Sequence, residues 1–487
     1  MRFLFDVPQS FWPLLTGLVT LAVTLVASGH AILYKRDSRA AVAWVGLIWL
    51  APIIGTILYV LLGINRMRRR VAGLRGDESA HVAALDEFSC SVSELKAVLK
   101  RDHRHLVEMA QLGSSLTRLN LMRGNSVEPL FDGDQAYPAM IEAIDRAERS
   151  VSLAVYIFEN DSVGVLFLGA FARAVKRGVE IRVLVDAVGV RYSMPPVTGR
   201  LRRIGVRTAL FMSGVLTWRT PYLNLRNHRK ILVVDGALGF TGGINIRACH
   251  LLAEQPAHPT RDTHFRVTGP VVQQLQATFV EDWHFTTGER LSGEKWFPAV
   301  QQWNGSVPAR VIPDGPDQDM DKMSMAFQGA LAVAQHSVRI VTPYFLPDRS
   351  LIAALNTCAL RGVTVDIVLP QRNNLKLVAW ASMAQMWQVL EWGCNVWLSA
   401  PPFDHSKVMV VDNMLCLIGS SNWDPRSLRL NFELGVECYS EELASRLEQR
   451  IEQQMVGAHQ LTLEEADGRP LSIKLRDGIA RLAAPYL

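Results

Sequence analysis

The sequence predicts an α/β body built from two copies of one half, mixed β-sheets flanked by helices and packed pseudo-symmetrically, behind a two-helix transmembrane hairpin. Three observations lead there: two long uncharged apolar stretches near the N-terminus, a repeated strand–helix–strand pattern, and a polar motif found twice at the same depth of that repeat. With 487 residues the chain exceeds one ordinary core, at roughly 150 residues per domain. Its 20% charged and 49% hydrophobic residues, with a mean hydropathy of +0.12, exclude dominant disorder and suit a globular body with some membrane-embedded sequence.

The hairpin comes first, in residues 1–70. Phe11 to Leu33 and Ala40 to Ile64 contain no Asp, Glu, Lys or Arg, and at about 1.5 Å per residue helices of about 11–33 and 40–64 would each cross a bilayer core. Only the polar break Tyr34 to Arg39 separates them, so both ends lie on one side. Trp12, Trp44, Trp49 and Tyr59 are candidate interfacial anchors. A cleaved signal peptide is disfavoured by the length of the first stretch and by an n-region holding only Arg2 against Asp6. Arg66, Arg68, Arg69, Arg70 and Arg75 outnumber Lys35, Arg36 and Arg39 of the loop, which predicts a multi-pass protein with its body in the cytoplasm and offers contact to anionic lipid. Cys90, Cys249, Cys358, Cys394, Cys416 and Cys438 are scattered through hydrophobic surroundings without CxxC or His/Cys clustering, as expected of reduced core residues. Residues 71–120, with periodic leucines and valines between charges, read as a helical connector.

The two halves are 121–300 and 301–487, the second with a C-terminal tail. Arg149 to Phe158 matches His336 to Phe345 as a buried strand. A helix follows in each, ending at Arg177-Gly178-Val179 and Arg361-Gly362-Val363, and then an apolar strand, Glu180 to Val185 and Thr364 to Leu369. That is the sequence form of a βαβ unit. Further on, His228, Lys230 and Asp235 recur as His405, Lys407 and Asp412 with identical spacing. Gly242-Gly243-Ile244-Asn245 and Gly419-Ser420-Ser421-Asn422 follow at the same offset. One such motif is only suggestive; two at the same depth of a repeat are not coincidence.

Residues two apart on a strand share a face, so His228 with Lys230, and His405 with Lys407, would present imidazole and ammonium together, a pair suited to phosphate. Asp235-Gly236 and Asp412-Asn413 are hairpin-turn candidates, and the two aspartates of the motif are expected to brace the turn rather than touch substrate. Asn245 and Asn422 could donate to phosphate oxygens. A lone histidine on an apolar strand is ordinarily a core or surface residue; the duplication reverses that weighting.

The paired motifs with their trailing glycine–asparagine segments resemble those of the phospholipase D superfamily. The text around Tyr156, Asn227, Phe240, Asp282-Trp283 and Arg426 to Glu433 is similar to bacterial cardiolipin synthases in particular, over nearly the whole chain. The resemblance implies two phospholipase D-like halves sharing one active site, with no metal or cofactor. It implies catalytic residues His228, Lys230, Asp235, His405, Lys407 and Asp412, phosphate-binding Asn245 and Asn422, and carboxylates Asp262 and Glu433 that orient the histidines. By analogy His228 is the nucleophile and His405 the acid/base. The implied reaction transfers a phosphatidyl group between two phosphatidylglycerols through a phosphohistidine, giving cardiolipin and glycerol at the bacterial inner membrane. A hydrolytic phospholipase D, or a transferase using another donor or acceptor, shares the same chemistry. A phospholipase D-type nuclease would need a basic groove and no hairpin, so nucleic acid is not expected as a partner. A non-catalytic scaffold would tolerate loss of a motif position, and all are intact.

Overall fold

The computed structural model describes residues 11–35, 38–63, 86–212, 225–299, 305–316 and 319–484. The arginine cluster at 66–75 lies outside them. In the N-terminal unit, helix Phe11–Tyr34 is followed by Ser38–Leu50, Pro52–Leu58 and a π turn, Tyr59–Gly63. The segment Trp12–Tyr34 is long and apolar enough to cross a membrane; Ser38–Leu50 and Pro52–Leu61 are apolar but shorter. The second apolar stretch is therefore not one continuous helix. Pro52 lacks an N–H and disfavours helical backbone in the residue before it, and Ala51 accordingly sits at φ −139°, ψ 75°.

In the body, one sixteen-stranded sheet carries both halves. Strands Met122–Phe131 and Val307–Asp314 pair antiparallel at its centre. Outward on one side come Thr263–Thr268, Leu238–Gly242, Ile231–Val234, Ser150–Val155, Glu180–Asp186 and Arg207–Phe211. Outward on the other come Asn431–Tyr439, Leu415–Gly419, Val408–Val411, Ser337–Val341, Thr364–Pro370 and Asn395–Ser399, with His459–Leu461 beyond. The two series match strand for strand, which is the repeat in three dimensions. Ser150–Val155 with Glu180–Asp186, and Ser337–Val341 with Thr364–Pro370, are parallel pairs joined through helices Ser162–Lys176 and Arg349–Leu360. Both helices start at an aspartate, Asp161 or Asp348, whose side chain accepts backbone N–H groups of the first turn. Strand Ser150–Val155 is buried at every position, its two serines included, as expected of a central strand covered on both faces.

Each half has its own core, one around Phe158, Phe167, Phe171 and Val183, the other around Phe327, Val365, Ile367 and Trp423. Helices Val92–Val98 and Val107–Thr117 are more than a connector, for Leu95, Leu99, Leu106 and Met109 belong to the second core. A buried ion pair fastens them: Arg310 donates to Glu437 at 2.6 Å, to the Ala110 carbonyl at 2.9 Å and to Ser114 Oγ at 2.6 Å. The cysteines are free, and Cys358, Cys394, Cys416 and Cys438 are buried.

Candidate active site

Two short parallel pairings make the site. Arg226–Asn227, entering the first motif, pairs with Asn431–Phe432 of the other half, and Phe403–Asp404, entering the second, pairs with Thr260–Arg261. The ladder continues one residue further: His228 N donates to Phe432 O at 2.9 Å and His405 N to Arg261 O at 2.8 Å. This register puts each histidine beside the carboxylate that follows in the opposite half. His228 Nδ1 donates to Glu433 at 3.0 Å, and His405 Nδ1 to Asp262 at 2.8 Å. Each orienting carboxylate thus comes from the half opposite its histidine; the pairing is crossed.

With Nδ1–H held by a carboxylate, Nε2 of each imidazole is left with its lone pair. Both histidines line one open cleft of about 210 Å³. Asn245 and Asn422 line it too, as do Arg226, Arg247 and Arg426, and apolar Ile157, Leu375, Val378 and Phe403. Lys230 and Lys407 lie behind the histidines, each ammonium donating to the carbonyl of the histidine two residues earlier, the first at 2.7 Å. The strands begin only after them, at Ile231 and Val408, so it is this folding back that brings ammonium and imidazole together.

Asp235 and Asp412 do not line the cleft. Asp235 accepts the backbone N–H groups of Glu148, Arg149 and Ser150, and Asp412 those of Gln335, His336 and Ser337. Each ties a hairpin turn, with positive φ at Asp235-Gly236 and Asp412-Asn413, to the start of the neighbouring strand. Asp412 also accepts from His105 Nε2 at 2.7 Å.

Burial dominates the electrostatics. It lowers His228 to about 4 against the opposing pull of Glu433, lowers His405 well below the ordinary range, and brings Lys230 to about 7 and Lys407 to about 8. The two carboxylates diverge. Glu433 accepts from Ser420 Oγ at 2.5 Å and Asn431 Nδ2 at 3.0 Å as well as from His228; burial works against its charge, but these donors and the Lys230 charge hold it below its usual value. Asp262 is pushed well above its usual value by burial, with Lys407 opposing and Asp404 adding to the rise. Where Ser420 stands in one half, Gly243 stands in the other, and a Cβ there would lie 2.1 Å from Asp262 Oδ1.

Sequence reasoning missed Tyr156 and Tyr344, which stand one residue out of register between the two copies and yet set their rings edge-on to His228 and His405, at 5.2 and 6.3 Å. It also missed the cleft arginines. The aligned Tyr-x-Phe and Tyr-Phe segments after the first repeated strands were the available signal for the tyrosines.

The profile of the family described as "Cardiolipin synthase, PLD-like domain" matches residues 140–283 and 328–455, and that described as "Phospholipase_D-nuclease N-terminal" matches 22–63. The chain is 30% identical over 484 residues to cardiolipin synthase 1 of Staphylococcus epidermidis, covering 96% of this chain and 97% of that one. To the major cardiolipin synthase of Bacillus subtilis it is 29% identical over 462 residues, covering 93% and 95%. The crystal structure of phosphatidylserine synthase from Haemophilus influenzae superposes with a TM-score of 0.61 at 16% identity, covering 78% of this chain and all of that one, a likeness of fold.

Proposed function

This chain belongs to the cardiolipin synthase family with phospholipase D-like domains, and from that premise we propose that it joins two phosphatidylglycerols into cardiolipin, releasing one glycerol. The observation that carries the reading is the pair of histidines in one cleft, each with Nδ1 held by the other half's carboxylate. In the first step Nε2 of His228 attacks phosphorus, the bond to the glycerol headgroup breaks, and His405 protonates the departing alkoxide. In the second, His405 takes the proton from a headgroup hydroxyl of a second phosphatidylglycerol; that oxygen attacks phosphorus and the bond to His228 breaks. Lys230 and Lys407, with Asn245 and Asn422, stabilise the charge on the equatorial oxygens.

The divergent carboxylates support this division of labour. Glu433, ionised and held by three donors, strengthens His228 as nucleophile. Asp262, raised by burial, supports a positive charge on His405 less than Glu433 supports one on His228, so a protonated His405 gives up its proton readily to the leaving oxygen. Beside its arginines the cleft carries the apolar residues Ile157, Leu375, Val378 and Phe403, which suit the glycerol and acyl portion of a lipid.

The same reading makes the protein a two-pass resident of the bacterial inner membrane with its body in the cytoplasm, supported by the apolar helix Trp12–Tyr34 and by the arginines that follow Ile64 in the sequence. A C-terminal reporter active only outside that membrane would overturn the orientation. The reaction is tested by supplying purified protein with phosphatidylglycerol alone. Cardiolipin and glycerol in equal amounts, reversed by added glycerol, is the expected result. Phosphatidic acid alone, or cardiolipin only when another phospholipid is supplied, sinks the named reaction.

A further inference from the structure

The helix Leu471–Leu482 points its apolar side away from the protein. Leu471, Leu475, Ile479 and Leu482 are 82, 62, 60 and 80% exposed, and at 3.6 residues per turn they fall within about 80° of arc. The opposite side, which holds the helix on the body, is small or polar. Ala480 packs with Leu346, Val378 and Ala381. Asp477 is buried and accepts from Arg469 and Arg476, and the Arg476 guanidinium lies 4.4 Å from the Trp380 ring centroid. A helix made only to pack would turn its leucines inward.

Two further features say what covers this ridge. It is flanked by exposed Lys474 and Arg481, with exposed Arg372 and Lys376 on the adjoining segment, while the one acid of the helix, Asp477, is buried and paired. The helix that carries it also adjoins the wall of the active-site cleft: helix Lys376–Met383 packs against its buried side, Leu375 and Val378 line the cleft, and Leu375 and Leu377 are 48 and 51% exposed. Across the cleft, Tyr192 lines the rim, and Tyr192 and Met194 are 57 and 83% exposed. Exposed aliphatics beside basic side chains are the pattern of a surface that sits in the headgroup region of an anionic bilayer. A second copy fits less well, because a two-fold contact would bring Lys474 and Arg481 near their own equivalents.

We propose that the helix Leu471–Leu482 and the rim at Leu375 and Leu377 form a bilayer-docking surface that seats the mouth of the cleft on anionic phospholipid, so that a lipid headgroup enters without leaving the membrane. The proposal rests on the lipid-transfer reading of the cleft, and its tests separate the two.

The first test uses the full chain carrying Leu475→Asp and Ile479→Asp, both at exposed positions outside the cleft. Turnover is compared on long-chain phosphatidylglycerol in vesicles and on short-chain phosphatidylglycerol dispersed below its micelle concentration. Bilayer turnover falls about tenfold or more while short-chain turnover stays within about twofold. Equal losses on both substrates, or no loss on either, overturn the docking surface. A fall in particle mass in the variant, with both activities kept, assigns the ridge to a second copy and also overturns it.

The second test needs no turnover. An environment-sensitive fluorophore is attached at Leu475→Cys in a background with Cys90→Ser and Cys249→Ser, and the chain is moved from detergent to phosphatidylglycerol vesicles. A blue shift that quencher-bearing lipids suppress is expected, and it stands even if the chain makes no cardiolipin. A fluorophore that stays in water while cardiolipin is made removes the docking surface and leaves the reaction intact.

Discussion

Replacing Glu433 by Gln removes one charge and little volume, and the structure gives the size of the effect. Glu433 is fully buried and takes hydrogen bonds from His228, Ser420 and Asn431. An amide has one acceptor oxygen for these three donors, so the His228 ring is free to move its proton to Nε2, the atom that must attack. The same loss at a histidine–carboxylate pair of a serine protease costs about 10⁴-fold in kcat, or about 5 kcal/mol of barrier. Folding suffers less. Lys230, already brought to about 7, can shed its proton once Glu433 no longer supports the charge, so the cost is that of the disturbed hydrogen bonds, about 1–3 kcal/mol. The assay is cardiolipin formed per enzyme under saturating phosphatidylglycerol, with thermal unfolding alongside. A stability double-mutant cycle adds the decisive comparison. His228→Ala and Glu433→Gln should couple by about 1 kcal/mol, and His405→Ala and Glu433→Gln by less than about 0.5 kcal/mol. Retention of more than about a tenth of kcat refutes the tautomer argument. Stronger coupling to His405 refutes the crossed register.

His228→Ala and His405→Ala should each lower turnover by several orders of magnitude, and the double variant should be scarcely worse than either, because the two act as one unit; additive losses in product formation would contradict this. Lys230 and Lys407, at about 7 and about 8, carry charge below those values and lose it above, so kcat/KM should fall as pH rises through that window. A bound phosphate favours the ammonium form, which moves the corresponding limb of kcat upward; a flat kcat/KM profile from about pH 6 to about pH 9 removes the lysines from the argument. Gly243→Ser, whose Cβ would meet Asp262 at 2.1 Å, should cut turnover and lower stability by about 2 kcal/mol or more, while Ser420→Gly costs about 1 kcal/mol, as read by thermal unfolding and by activity.

The repeat was legible because both copies keep the spacings among His, Lys, Asp and Asn, and a fixed strand order turns equal spacing into equal position. The turn role of Asp235 and Asp412 was legible for the same local reason, since the residues after them form tight hairpins. The partner of each histidine was not. Distance along the chain links Glu433 to His405, whereas a parallel pairing of two residues, Asn227 against Phe432, decides that it meets His228. The break at Pro52 stood in plain view, but an apolar run reads as one span when hydropathy alone is followed. The packing of residues 92–117 into the second core depends on Arg310 and Glu437, two distant charges that find each other only in the folded sheet.

The crossed pairing also sets how the two halves can be inherited or exchanged. Neither half owns a complete histidine; each lends its partner the carboxylate that makes the partner's imidazole useful. A chimera that takes one half from a relative keeps both motifs intact on paper, yet every histidine in it is matched to a foreign strand. Glu with its serine and Asp with its glycine form two complementary fittings of different reach. Trading one fitting for the other means changing a carboxylate together with the small residue beside it, both in one half, while the histidine that feels the change lies in the other.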